Sequence, residues 1–136
     1  MDGTLFDTER LLGLEMGGTN QAQALKVFAD HYPKLDAKKY FDTVIETVAK
    51  WTETDFELLP GTREILDYFK ARKVLISVAS GSSRRGIERN LQKAGIREYF
   101  VSVVGGDEIL NGKPAPDIFL KAAEEMKLSV QDCYTE

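Results

Sequence analysis

A single cysteine, Cys133, stands in 136 residues, so an intramolecular disulfide is excluded and no thiol pair is present to hold a metal. Such a chain suits a reducing compartment, and the cytoplasm is the expected location. Long apolar runs are also missing. Nothing approaches the roughly 20 residues needed to cross a bilayer, and the N-terminus has neither a basic segment nor an apolar signal core. Positive charge is not in excess either: the net charge is −4 and the pI about 5.1. That balance gives no field favouring polyanions, so neither a nucleic-acid nor a membrane partner is expected, and any anion specificity must be local. What is present is a hydrophobic content of 43%, enough for one sizeable core. One domain with a small lobe is expected, as a monomer.

The run from Lys73 to Ser80 is apolar and rich in β-branched residues, and it ends in a small polar cluster. It reads as a buried strand entering a functional turn. Before it, Ile65, Leu66 and Phe69 share a helical face. After it, Ile87, Leu91 and Ala94 do the same, with Gly95 placed to end the helix. A second strand is expected around Phe100 to Val104, then a helix bearing Ile118, Phe119, Ala122, Ala123 and Met126. A third apolar start falls at Val130. Strands alternating with helices predict an α/β fold with an open, Rossmann-like parallel sheet.

Residues 17–57 differ. Leu25, Phe28, Ala29 and Tyr32 make one amphipathic face, and Phe41, Val44, Ile45, Val48 and Trp51 make another, with no strand between. Two such helices predict an inserted helical lobe whose core includes Tyr40 and Trp51. Thr19 and Asp36 suit the N-caps, Pro33 ends the first helix, and Leu59-Pro60-Gly61 closes the lobe with a turn. His31 is expected at the surface of this lobe.

Three short segments concentrate the chemistry. Asp2-Gly3-Thr4 opens the chain within the run Met1 to Glu9; by itself an Asp-Gly-Thr triplet is more often a surface turn than a catalytic loop. Ser80-Gly81-Ser82-Ser83 follows the apolar strand, with Arg84 and Arg85 near enough to add charge. A serine there can meet an anion at a helix start, or simply be a helix cap. Lys113 precedes Pro114 and Pro116 in Asn111-Gly112-Lys113-Pro114-Ala115-Pro116-Asp117-Ile118-Phe119, either as an oriented cation or as a solvated lysine in a turn.

Together, and in this order, these segments resemble the signatures of haloacid dehalogenase-like phosphohydrolases. The lean is toward the β-phosphoglucomutase and phosphoglycolate phosphatase group. The family's first signature is Asp-x-Asp-Gly-Thr at a strand end. In it the first aspartate attacks phosphorus and the second acts as acid, then base. Mapped on this sequence, Met1 is the x and Asp2 the acid/base, so the nucleophile would lie just before Met1. The resemblance further implies that Gly3 and Thr4, the Ser80 hydroxyl and the Gly81 amide bind phosphate. It makes Lys113 both a phosphate ligand and a catalytic cation that stabilises charge at the reacting centre.

A fourth signature supplies acids for Mg²⁺. Asp132-Cys133-Tyr134-Thr135-Glu136 starts like that strand, with Glu136 one place early, leaving the carbonyl of Asp2 and Glu136 as the implied metal ligands. Asp107 and Glu108 resemble a family loop beside the site, though a solvated turn reads equally well, and Asp7 and Glu9 are expected to support the first loop or the hinge to the lobe. The implied architecture is a core of residues 1–12 and 59–136 with a short helical cap at 13–58, in a chain that reads as a fragment. The implied function is a Mg²⁺-dependent phosphatase or phosphosugar mutase acting on a small phosphorylated metabolite through an aspartyl-phosphate. The alternative is an inactive phosphate-binding or scaffold module of the same fold.

Overall fold

A computed structural model of the chain describes residues 20–51 and 57–135. Asp2, Gly3, Thr4, Asp7, Glu9, Thr19 and Glu136 lie outside the described residues, as do the side chains of Phe28, His31, Val44, Val48 and Trp51.

Helix α1 (Gln21–His31) and helix α2 (Ala37–Trp51) pack on each other without an intervening strand, as their patterns predict. Asn20 rather than Thr19 is the residue seen capping α1. Its Oδ1 accepts from the Gln23 amide at 2.9 Å, and Gln23 Oε1 accepts from the Asn20 amide at 3.2 Å, a reciprocal capping box. Asp36 caps α2 as expected, accepting from the Lys39 amide at 3.0 Å. Among the described side chains at α1, Ala24 and the cap Asn20 are buried, while Ala29 and Tyr32 are exposed. On α2, Tyr40 and Ile45 are half exposed, so Tyr40 is not lobe core.

The turn at Leu59 to Gly61 is present, with the Thr62 amide donating to the Leu59 carbonyl and Gly61 at φ 85°. Helix α3 (Thr62–Ala71) follows, burying Leu66 and leaving Ile65 46% exposed. It ends in a Schellman motif, with the Val74 amide on Phe69 O, the Lys73 amide on Lys70 O, and Lys73 at φ 57°. That closure draws residues 73 and 74 into the helix end, so strand β1 spans only Ser77–Ser80 instead of starting at Lys73.

Helix α4 (Arg84–Lys93) ends on the expected Gly95, at φ 64°, with the Ile96 amide on Leu91 O and the Gly95 amide on Gln92 O. Strand β2 (Ser102–Gly105) runs parallel to β1, pairing Ser77 with Ser102 through Ser80 with Gly105. Alternation along both strands builds two cores. Val78 and Val103 face Leu66, Ile87, Leu91, Ile96 and Phe100 on one side. Ala79 and Val104 face Ile118 and Ala122 of helix α5 (Asp117–Glu125) on the other. Burying each Ile or Leu contributes about 1.5–3 kcal/mol. A strand layer between helices is the α/β arrangement the pattern predicts.

The third strand expected at Val130 is not formed. Helix α5 closes with the Leu128 amide on Ala123 O and Lys127 at φ 58°, and Ser129 then caps a 3₁₀ turn over Val130–Asp132. Val130 is half exposed there.

Candidate active site

Parallel pairing brings Ser80 level with Gly105 at the carboxyl ends of both strands, the edge where open α/β sheets bind ligands. Ser80 is 5% exposed, and its Oγ accepts from the Ser82 amide at 3.3 Å. The helix cap is a different residue: Ser83 Oγ accepts from the Gly86 amide at 3.3 Å. The capping reading thus belongs to Ser83, which leaves the Ser80 hydroxyl at the strand end.

Lys113 arrives from the other side of the sheet end. Its Nζ donates to the Ala79 carbonyl at 3.4 Å, one residue before Ser80, and lies 5.0 Å from the centroid of the Phe119 ring. The loop that delivers it is clamped by Asp117, whose Oδ2 accepts from Asn111 Nδ2 at 2.9 Å and from the Asn111 amide at 3.3 Å. The Lys113–Pro114 peptide is cis. Ser80, Gly81 and Lys113, 33 residues apart in sequence between the serine and the lysine, therefore meet at one strand end. Their combined chemistry is a hydroxyl, backbone amides at the start of a helix and an ammonium with donors to spare, which suits a tetrahedral oxyanion.

Two loops press together beneath this point. A Cβ on Gly106 would lie 2.2 Å from Gly81 O, and one on Gly105 would lie 2.3 Å from Arg84 N, so both positions require glycine for close backbone approach. The Gly106 amide donates to Ser82 O at 2.8 Å. Asp107, though exposed, and the partly buried Glu108 both tie their turn to the rest of the fold. Asp107 Oδ1 accepts from the Arg84 amide at 2.8 Å at the first turn of α4, and Glu108 Oε2 accepts from the Gly105 amide at 2.8 Å. Arg84, expected to add charge to the site, is committed elsewhere: its Nη1 lies 2.9 Å from Glu108 Oε1 and 3.6 Å from Glu125 Oε1. The hydrogen bond to Glu108, with that carboxylate's charge, holds the Arg84 guanidinium above its ordinary range. Glu125 also accepts from Ser102 Oγ at 2.6 Å, tying the network to β2. Sequence reading missed this supporting role; the signal was the Gly-Gly pair directly before two acids.

The remaining expected site residues, Asp2, Gly3, Thr4 and Glu136, lie outside the described residues. Among the described residues no group of three acids, histidines or cysteines is close enough to hold a metal ion. The described part of the site thus provides donors for an anion. Among the described residues no helix is long and apolar enough to cross a membrane.

The family model of haloacid dehalogenase-like hydrolases matches residues 12–134. The chain belongs to this family. It is 28% identical to the bifunctional riboflavin kinase/FMN phosphatase of Arabidopsis thaliana over 98% of this chain and 40% of that protein. With a phosphorylated carbohydrates phosphatase of Thermotoga maritima it shares 26% identity over 94% of this chain and 68% of the relative. The first of these alignments runs over 153 positions, more than the 136 residues here, so the relative carries residues this chain lacks. A β-phosphoglucomutase of Bacillus subtilis is 36% identical over 63% of the chain and 36% of that protein. In fold, the chain resembles a hydrolase from Pseudomonas syringae at TM-score 0.75 and 19% identity, covering 97% of this chain and 70% of that one. It also resembles CbbY from Rhodobacter sphaeroides, crystallised with phosphate, at TM-score 0.68 and 22% identity, covering 94% and 70%. The chain spans less than half the length of some of these relatives.

Proposed function

We propose that this chain is the phosphate-handling part of a phosphomonoester hydrolase acting on a small phosphorylated metabolite in the cytoplasm. The observation that supports it most is the convergence of Ser80, Gly81 and Lys113 at the end of β1. In this reading a phosphoryl oxygen accepts from the Ser80 hydroxyl and the Gly81 amide, while Lys113 stabilises the charge that gathers as the phosphoryl group transfers. An aspartate immediately upstream of Met1, in a longer chain, attacks phosphorus. Asp2 protonates the leaving oxygen and then takes the proton from the water that hydrolyses the aspartyl-phosphate. Mg²⁺, held through Asp2 and Glu136, would supply further positive charge against the phosphate. Gly3 and Thr4 complete the phosphate loop. Helices α1 and α2 belong to a cap, residues 13–58, over a core of 1–12 and 59–136.

The test is phosphate release from an aryl phosphate with Mg²⁺, using a chain extended upstream by a strand ending in aspartate. Activity that falls by at least about tenfold in Ser80→Ala and further in Lys113→Met supports the reading. Phosphate binding without turnover in the extended chain would favour the second reading, a binding module built on the same pocket.

A further inference from the structure

Lys113 sits at the end of a flexible four-carbon stem, and one hydrogen bond at 3.4 Å to the Ala79 carbonyl does not fix an ammonium. The second contact is the face of Phe119, with Nζ 5.0 Å from the ring centroid, within the reach of a cation–π attraction. Phe119 is itself well anchored. It lies in the first turn of α5, its amide donates to Pro116 O at 2.9 Å, and its side chain packs on the cluster of Val104, Ile118 and Ala122. Its ring is therefore a rigid platform built from the sheet core. Lys113 and Phe119 are six residues apart, and the Asn111–Asp117 clamp spans most of that interval, so the loop geometry that presents the lysine also presents the ring.

We infer that Phe119 is a positioning residue that holds the Lys113 ammonium beside Ser80 through the face of its ring, pre-aligning it for a phosphate. This rests on the proposed phosphate-handling role of Lys113. The ammonium has three donors; the Ala79 carbonyl takes one, and the ring face attracts the cation without consuming a specific donor direction, so donors remain for phosphoryl oxygens. An aliphatic residue of similar size would fill the same space in the core and lose only the attraction.

The experiment uses the whole chain and inorganic phosphate as probe. Phe119 is replaced in turn by mono-, di- and trifluorinated phenylalanine, which drain the ring face of negative potential at nearly constant shape, and by Leu and Tyr. The ring-current shift of the Lys113 ε-methylene protons is read by NMR without phosphate, and affinity by titration. Phosphate affinity is expected to fall stepwise with fluorination, to drop about three- to tenfold in Phe119→Leu, and to hold in Phe119→Tyr. The ε-methylene shift should be upfield in the unaltered chain and vanish in Phe119→Leu. Affinity that is flat across the fluorinated series while Lys113→Met abolishes binding would overturn the role of the ring. An unshifted ε-methylene in the unaltered chain would overturn it too. Loss of the phosphate reading looks different: the unaltered chain and Lys113→Met would then bind phosphate equally, or neither would bind.

Discussion

In the phosphate site proposed above, Ser80 and Lys113 have separable jobs. The serine is buried at a strand end and contributes a neutral donor, whereas the lysine contributes charge, so Lys113→Met should weaken inorganic phosphate binding more than Ser80→Ala does. A hydrogen bond to a charged group is worth about 1.5–3 kcal/mol, which puts the serine effect near tenfold or above. Calorimetric titration of both variants checks the ranking. Asp107 works one step removed, by capping the first amide of α4. Asp107→Ala should cost about 1 kcal/mol in urea unfolding, since Ser83 still caps the same helix. At this scale the sequence was most legible in placement: the proline-flanked segment that carries Lys113 does bring it to the end of β1. It was least legible for Arg84, because charge alone says nothing about which acids a guanidinium will find across a fold.

Helix ends decide how the elements are cut. Three helices close in the same left-handed motif, one on Gly95 and two on lysines, Lys73 and Lys127. A side chain in that conformation costs about 1 kcal/mol relative to glycine. Lys73→Gly and Lys127→Gly should therefore each stabilise the chain by about 0.5–1 kcal/mol, visible as a raised urea midpoint with an unchanged slope. These lysines also explain why no strand begins at Lys73 or at Val130. Hydrophobic patterning shows where apolar residues run, but a lysine in the left-handed conformation carries no sequence mark; at Lys73 it turns the first residues of the run into a helix terminus, and after Lys127 the chain enters a 3₁₀ turn instead of a strand. Gly95 was legible because glycine is that mark. Between α3 and the 3₁₀ turn before β2, the Tyr99 hydroxyl donates to Asp67 Oδ1 at 2.6 Å. That hydrogen bond, aided by burial and the Asp67 charge, holds the phenol above its ordinary value of 10.0. A folded value above the unfolded one means the contribution is present below about pH 10 and lost as pH rises through the folded value. Tyr99→Phe should accordingly remove part of the alkaline loss of stability, measured by denaturation across that range.

On the scale of the whole molecule, the helical pair and the sheet meet at the loop that delivers Lys113. A Cβ on Gly112 would lie 3.0 Å from the Asn20 amide nitrogen and 2.2 Å from Gln23 Oε1, so the start of α1 rests directly against the residue before the lysine. Gly112→Ala should loosen that seat, raising amide hydrogen exchange in α1 while leaving β2 protected. The layered α/β order was readable from alternating periodicities, and so was the helical pair. This contact was not, since nothing in a local pattern shows which distant surface a glycine must admit. The central claim is that one anion site lies at the carboxyl end of β1. The most direct measurement is a titration of the isotope-labelled chain with inorganic phosphate, followed by amide and side-chain NMR shifts. The account predicts saturable shifts centred on Ser80, Gly81, Ser82 and the Lys113 side chain; shifts centred elsewhere, or none at millimolar phosphate, would contradict it.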